Sequence, residues 1–324
     1  MRTAPRIIST ARGTRAEAFG PAEWTLLAAI AAMWGSSFLW IAIGLEAFRP
    51  GLIAFLRIAL GAIALGLVRN SRRPVAREDW PSIVLLGLIW MGIPLLLFPI
   101  AQDLGISSSV AGMLNGAMPL FAALFASVLL RHAPGGRQVL GLVIGFAGVV
   151  LVTLPSAQGT SGTALGAGLL ILATAMYGLS ANITVPLQHK YGALPVVFRA
   201  QAVALAALLP VGLWSLPGSR FGWPAALAMV VLGFLGSGLA FVAMAVLVGR
   251  AGATRGAVAI YFVPVVALVL GTTIRGESVS PLALGGVALV ILGAILTSRR
   301  ERPRPATGTR PARRSAPRSG PRPS

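Results

Sequence analysis

Cysteine is absent from the 324 residues, which removes disulfides, zinc–thiolate sites and a cysteine nucleophile from consideration. Histidine occurs twice and acidic residues eight times, leaving little for metal binding or acid–base work. No D-x-x-D, H-x-x-x-x-D or G-x-S-x-G arrangement is present, so metal–diphosphate transfer and hydrolase chemistry lack their side chains. No cofactor and no metal site is expected. Charge is scarce too, at 11% of residues against about a quarter in an ordinary soluble domain. What is abundant is apolar: 56% of residues are hydrophobic and the mean hydropathy is +0.83. A chain of this size cannot hide that much apolar surface in a water-soluble core, so it reads as a polytopic membrane protein.

A helix needs roughly 20 mostly apolar residues to cross the hydrocarbon layer. Charged and Pro/Gly-rich punctuation divides the chain into ten such stretches, near 24–45, 50–68, 81–101, 107–130, 137–154, 163–185, 194–213, 223–248, 254–272 and 281–298. They are rich in Leu, Ala and Val without strict alternation, which argues against a β-barrel. The linkers between them are too short to house a soluble catalytic domain. With the N-terminus placed inside, 22 of the 27 basic residues fall on the cytoplasmic side. Without the nine arginines of the tail the comparison is still 13 against 3, the outside holding only Arg49, Arg220 and Arg275. The positive-inside rule therefore puts both termini in the cytoplasm. The same distribution accounts for the net charge of +19: arginines in short loops hold topology and meet anionic lipid, and nucleic acid is not an expected partner. The first residues lack an apolar core and a small-residue cleavage site, so a cleaved signal peptide is not expected.

The chain also resembles itself. Residues 107–153 align with 252–298 at an offset of 145, placing Pro119 on Pro264, Ala122 on Ala267, His132 on Glu277, Gly141 on Gly286 and Gly148 on Gly293. Nearer the front, Trp34–Ser37 parallels Tyr177–Ser180 and Phe55–Arg57 parallels Val197–Arg199 at nearly the same spacing. A five-span unit is odd-numbered, so its second copy enters the membrane inverted, an arrangement characteristic of secondary transporters.

Four stretches then carry a family likeness: WGSSFLWIAIGLEAFRPGLIAFLR at 34–57, SSVAGMLNGAMPLFAALFASVLL at 108–130, GLVIGFAGVVL at 141–151, and GATRGAVAIYFVPVVALVLGTTIRGESVSPLALGGVALVILGAIL at 252–296. Over residues 24–298 the chain resembles the drug/metabolite transporter superfamily, specifically the EamA-type permeases. The resemblance implies an all-α integral membrane protein with ten transmembrane helices in two inverted five-helix repeats. Its parts are a basic cytoplasmic segment 1–23, a first EamA-like repeat 24–154, a linker 155–162, a second repeat 163–298, and a disordered Arg/Pro-rich cytoplasmic tail 299–324. The resemblance further implies a bacterial inner-membrane permease, often an exporter. The family's usual glutamate after the fourth helix of a repeat stands at Glu277, whereas the first repeat has His132, so the two loops are expected to do unequal work.

Polar residues inside apolar spans are the candidates for transport. Arg57 lies roughly 10 Å below the outer end of the second span at 1.5 Å per residue, where a charge costs about 2.5–3.5 kcal/mol on insertion scales. Three readings compete: a contact to an anionic or zwitterionic substrate, a pair with Glu46, or snorkelling to the head groups. Arg199 lies nearer the cytosolic end, where snorkelling is easier. Trp34, Ser36 and Ser37 in the first span, with Tyr177 and Ser180 in the sixth, combine aromatic walls with small hydroxyls. That mixture suits a cavity and equally suits helix packing. Asn115, Asn182 and Tyr261 must find partners in protein or cavity water, because lipid offers none; substrate contact and helix–helix bonding both fit. Gln102 and Asp103 sit where the third span reaches the outside. Pro119 and Pro264 each remove a backbone donor in the middle of a span, so kinks that act as hinges, or that merely shape the cavity, are expected there. Glycines 141, 145, 148, 286 and 293 read as close-packing positions.

The expected function is that of a secondary transporter, an exporter of small polar or amphipathic metabolites with amino acids favoured, working by alternating access around a central cavity. Its partners are then a small-molecule metabolite and membrane lipid. One chain suffices to enclose a pathway, and a homodimer is neither required nor forbidden. No acid lies at the centre of a span, which disfavours proton exchange through a membrane-embedded glutamate. Two other classes compete: an integral membrane enzyme acting on lipid or isoprenoid substrates, which lacks the residues noted above, and a non-transporting membrane interaction protein.

Overall fold

The computed structural model describes residues 20–129, 136–157, 160–251 and 256–298. Most of the basic N-terminal segment, His132 and the tail 299–324 lie outside them. Among the described residues the regular structure is entirely helical. The helices are α1 (Pro21–Leu45), α2 (Pro50–Gly66), α3 (Trp80–Leu86), α4 (Ile93–Asp103), α5 (Ser108–Asn115), α6 (Met118–Leu129), α7 (Gly136–Ala157), α8 (Ser161–Tyr191), α9 (Ala193–Ser215), α10 (Trp223–Val231), α11 (Ala240–Ala251), α12 (Val263–Arg275) and α13 (Pro281–Ser298). A π-helical segment, Gly87–Gly92, joins α3 to α4, and another, Leu232–Leu239, joins α10 to α11. Six continuous stretches are long and apolar enough to cross a membrane: Pro21–Leu45, Arg77–Asp103, Ser108–Leu129, Ser161–Tyr191, Ala193–Gly218 and Trp223–Ala251. Shorter apolar helices are Pro50–Gly66, Val139–Val152, Ala259–Arg275 and Pro281–Gly293.

The helix ends follow the local chemistry. Pro21, Pro50 and Pro281 open their helices, where the missing N–H would have had no partner. The Ser107 and Thr160 hydroxyls accept from Val110 N and Thr163 N and so cap α5 and α8. Gly276 closes α12 at φ 64°, the left-handed position glycine occupies without strain. One expectation needs correction: α8 runs to Tyr191, past Pro186, where the sixth span was placed to stop near 185. The extra turns carry His189, Lys190 and Tyr191 to partners at the end of the bundle. His189 Nε2 lies 2.7 Å from the Gly249 carbonyl, and Lys190 pairs with Glu78 and Asp79.

The prolines expected to kink mid-helix behave differently. Pro119 and Pro264 are each the second residue of a helix, directly after a break. The first break is the turn at Gly116–Ala117, the second a 3-10 stretch, Ala257–Phe262. A proline at that position sacrifices no intrahelical bond, so it marks a new helix start and does not strain an old one. The two breaks also meet. A Cβ on Gly116 would lie 2.6 Å from Pro264 Cγ, so the bare backbone of the first break packs directly against the proline ring that follows the second.

The expected glycine packing lies within the chain. α7 and α13 form the most extensive helix pair, and their backbones touch through Gly141, Gly145, Gly148, Gly286 and Gly293. A Cβ on Gly286 would stand 2.8 Å from the Gly148 carbonyl oxygen and from Val152 N. Gly286→Val must therefore push the two helices apart, and we expect it to cost about 1–3 kcal/mol, the usual range for overpacking. A fall in the thermal midpoint of detergent-solubilised protein checks this.

Elsewhere the bundle is inverted relative to a soluble protein: Val128, Val143, Val150, Leu227 and Phe234 are exposed along its flanks. Exposed aromatics mark both ends, Trp24 and Trp80 at one and Trp214, Phe221 and Trp223 at the other, where such rings sit in membrane interfaces.

Candidate functional site

Arg57 is the eighth residue of α2 and only 2% exposed. Burial follows from its helix's surroundings: α2 packs between α9 and the π-segment Leu232–Leu239. In a π-turn the i→i−4 ladder is interrupted, so polar groups there become available to side chains. Three side chains use them. Arg57 Nε donates to Ser237 Oγ at 3.1 Å, Gln201 of α9 donates to the Ser237 carbonyl, and Trp34 Nε1 donates to the Gly236 carbonyl at 2.9 Å. Gly236 leaves little room here: a Cβ would lie 3.0 Å from Ser37 Oγ and 3.4 Å from Arg57 Nη2.

Arg57 faces a void in the middle of the bundle shared with Trp34, Ser37, Phe38, Ile41, Leu95, Phe98, Asn115 and Tyr177. The rings form a connected wall. Phe98 stacks on Tyr177 with centroids 5.8 Å apart, Phe38 tilts against Phe98 at 5.4 Å, and Phe241 meets Trp34 edge-on at 5.1 Å. Trp90, from the other π-segment, packs on Phe241 at 4.9 Å. The space open to the centre of a water molecule is about 20 Å³, enough for about one water. The conformation is therefore closed around the arginine.

The electrostatics of this void are unusual. Among the described residues, no carboxylate pairs with Arg57. Glu46, the partner considered from sequence, pairs with Arg275 at the bundle end. Glu23 pairs with Arg250, and Glu78 and Asp79 with Lys190. Snorkelling is ruled out by the burial of the side chain. Arg199 differs: its guanidinium reaches the carbonyls of Ser71, Arg72 and Pro195 near the bundle end.

Of the residues singled out in sequence, the void therefore collects Trp34, Ser37, Arg57, Asn115 and Tyr177. Ser37 also bonds the Met33 carbonyl at 2.8 Å. Asn115 is 3% exposed and its Oδ1 has no hydrogen-bond partner. The others lie elsewhere. Ser36 and Ser180 bond carbonyls of their own helices. Asn182 donates to Ala122 O and Gly178 O, both at 3.0 Å, tying α8 to α6. Tyr261 is buried in the 3-10 stretch before α12. Sequence reasoning passed over Phe38, Phe98, Gln201 and Ser237. Phenylalanine and serine are too common in membrane helices to signal a site, but Gln201 is a long amide in an apolar span and was open to notice.

Above the void is a vestibule of about 360 Å³ lined by Glu46, Gln102, Asp103, Ser108, Arg275 and Glu277. It follows the void along the chain on two helices, from Ile41 to Ala42 in α1 and from Phe98 to Gln102 in α4. Gln102 is buried with both side-chain polar atoms unpartnered. Glu277 accepts four hydrogen bonds: from Ser108 N at 2.9 Å, Ser108 Oγ at 2.6 Å, Ser109 N at 2.8 Å and Ser109 Oγ at 2.6 Å. Burial raises its pKa, but these donors outweigh that and hold the carboxyl below its ordinary value.

Comparison with known proteins adds a family. The model of the EamA-like transporter family matches residues 23–154 and again 164–299. A probable terminal-alkyne amino-acid exporter of Streptantibioticus cattleyicolor is 29% identical over 301 residues, covering 90% of this chain and 98% of that protein. The uncharacterized inner membrane transporter YedA of Escherichia coli K12 is 29% identical over 285 residues, covering 83% of this chain and 90% of the relative. A solved crystal structure superposes with a TM-score of 0.60 at 21% identity, covering 85% of this chain and 96% of the other; that likeness concerns the fold.

Proposed function

The chain belongs to the EamA-like transporter family, and we propose that it exports small carboxylate-bearing metabolites, zwitterionic amino acids foremost, across a bacterial inner membrane. Family membership makes it a multi-pass membrane transporter and not an enzyme. The observation that carries the substrate class is Arg57: a buried cation, walled by aromatic rings, with no carboxylate partner among the described residues. A charge in that place is expensive unless something anionic uses it. The guanidinium spends Nε on Ser237 and keeps its outer Nη groups for a planar carboxylate.

Alternating access needs two halves that move against each other, and ten spans in two inverted repeats provide them. Several features support this arrangement. The family model matches in two successive segments. The two π-segments begin at Gly87 and Leu232, 145 residues apart, which is the offset that aligns the halves in sequence. They also exchange partners: Gly87–Gly92 packs on α9, and Leu232–Leu239 packs on α2. The boundaries 24–154 and 163–298 follow the same division. Arginine counts place the Lys190 and Arg250 end, with both termini, in the cytoplasm, and the vestibule then opens outward. Pro119 and Pro264, at meeting helix breaks, are the proposed hinges. The halves must part to admit a ligand into a void this small, and they enclose it within one chain. Export as the direction rests on the resemblance and on the exporter among the relatives.

Counterflow in proteoliposomes preloaded with an amino acid tests the reading. Saturable exchange of labelled amino acids is expected, with none for the methyl esters, which lack the carboxylate. Exchange indifferent to esterification, or no exchange across a broad amino-acid panel, would sink it.

A further inference from the structure

Asn115 offers something Arg57 does not. It ends α5, just before the turn at Gly116–Ala117, and its amide lines the same void as the arginine. Its Oδ1 is buried without a donor. An amide oxygen left so costs about 1–3 kcal/mol, and the cost is recovered when a donor arrives. The protein does not supply that donor from the neighbouring hydroxyl, since Ser37 donates to the Met33 carbonyl. The void thus presents a cationic fork and an unfilled acceptor on one small chamber, with Phe38, Phe98 and Tyr177 around them.

We propose that Asn115 is a specificity-determining residue that accepts a hydrogen bond from the substrate's ammonium group, so that the chamber selects α-amino acids with apolar side chains over simple carboxylic acids. The inference rests on the carboxylate reading of Arg57 and sharpens it. A zwitterion matches both poles at once: carboxylate toward Arg57, ammonium toward Asn115, side chain against the rings. The ammonium also gains from aromatic faces. A neutral amide suits the task better than an acid would. A carboxylate at position 115 would be drawn to Arg57, neutralising the fork that the substrate needs. Apart from Arg57, no charged residue lines the void, so none remains to satisfy a charged substrate side chain.

The test compares leucine with its des-amino analogue, 4-methylpentanoate, in proteoliposome counterflow. The wild type is expected to favour leucine. Asn115→Leu, of similar size, should lower that preference by at least about 10-fold, the effect of losing one hydrogen bond to a charged group. Flux of the des-amino acid reports that the variant is folded and inserted. Should Asn115→Leu carry neither compound, Asn115→Ala decides, since it removes the acceptor without adding bulk or charge and should lower the preference for leucine by a similar factor. A preference unchanged in every variant that transports overturns the role of Asn115 while leaving Arg57's intact. Loss of both fluxes in Asn115→Ala as well marks position 115 as structural and also overturns it. Absence of flux of both compounds in the wild type overturns the carboxylate reading and this inference together.

Discussion

Replacing Arg57 with methionine is expected to abolish most carboxylate transport while leaving the protein at least as stable. The two halves of that outcome have one cause. A hydrogen bond to a charged group contributes about 1.5–3 kcal/mol, so losing the guanidinium lowers saturable flux roughly 10- to 100-fold, or further where both Nη groups engage the substrate. Folding responds in the opposite sense. Arg57 is buried, bonds one neutral hydroxyl and has no ion-pair partner among the described residues, so its desolvation is uncompensated. Exchanging such a charge for an apolar chain of similar length is commonly neutral or stabilising. Lysine at position 57 is not expected to rescue transport, because a point charge on a flexible stem cannot both hold Ser237 and offer a planar fork.

A helix anchor would behave otherwise. If Arg57 served mainly to tie α2 to the π-segment, Arg57→Met would lower the thermal midpoint and leave the flux per folded molecule intact. Counterflow measured beside thermal unfolding in the same detergent separates the two. Reduced stability with preserved flux would return Arg57 to the packing role that the sequence left open.

The sequence exposed most of the helices because a membrane punishes charge, and the charged punctuation falls where helices end. The same rule made Arg57, Trp34 and Asn115 visible as polar side chains in apolar runs. It could not separate Asn115 from Asn182. Both are buried amides, yet one faces the void and the other ties α8 to α6. Which face of a helix a residue occupies depends on neighbours that no local pattern names. The π-segments were illegible for a related reason, since a single inserted residue leaves no compositional trace. Without the segment at Leu232–Leu239, Ser237 and Gly236 give no hint of holding Arg57 and Trp34. Pro186 misled in the other direction. Proline argues for a helix end, but α8 continues through it to Tyr191, and Lys190 and Tyr191 there both donate to Asp79.

Glu277→Ala is expected to be the most destabilising of these substitutions, by about 3 kcal/mol. Four donors converge on one carboxylate, two of them backbone N–H groups in the first turn of α5, where the helix dipole also favours an anion. Removing the acceptor strands those donors at a partly buried junction between α5 and the segment after α12. Each bond to a charged group is worth about 1.5–3 kcal/mol, and partial exposure together with water replacing some bonds reduces the sum to the figure given. Glu277→Gln should fall between wild type and alanine. Its oxygen can still accept on one side, but its NH2 confronts an N–H that cannot reorient. The pH dependence fixes the mechanism. Because the folded carboxyl titrates below its ordinary value, its contribution is fully present above the unfolded pKa and is lost as pH falls through the folded one. Protonated glutamate resembles glutamine in shape. The stability gap between wild type and Glu277→Gln should therefore be widest near neutrality and close in acid. A gap that stays constant across that range would mean that shape, and not charge, holds the junction together.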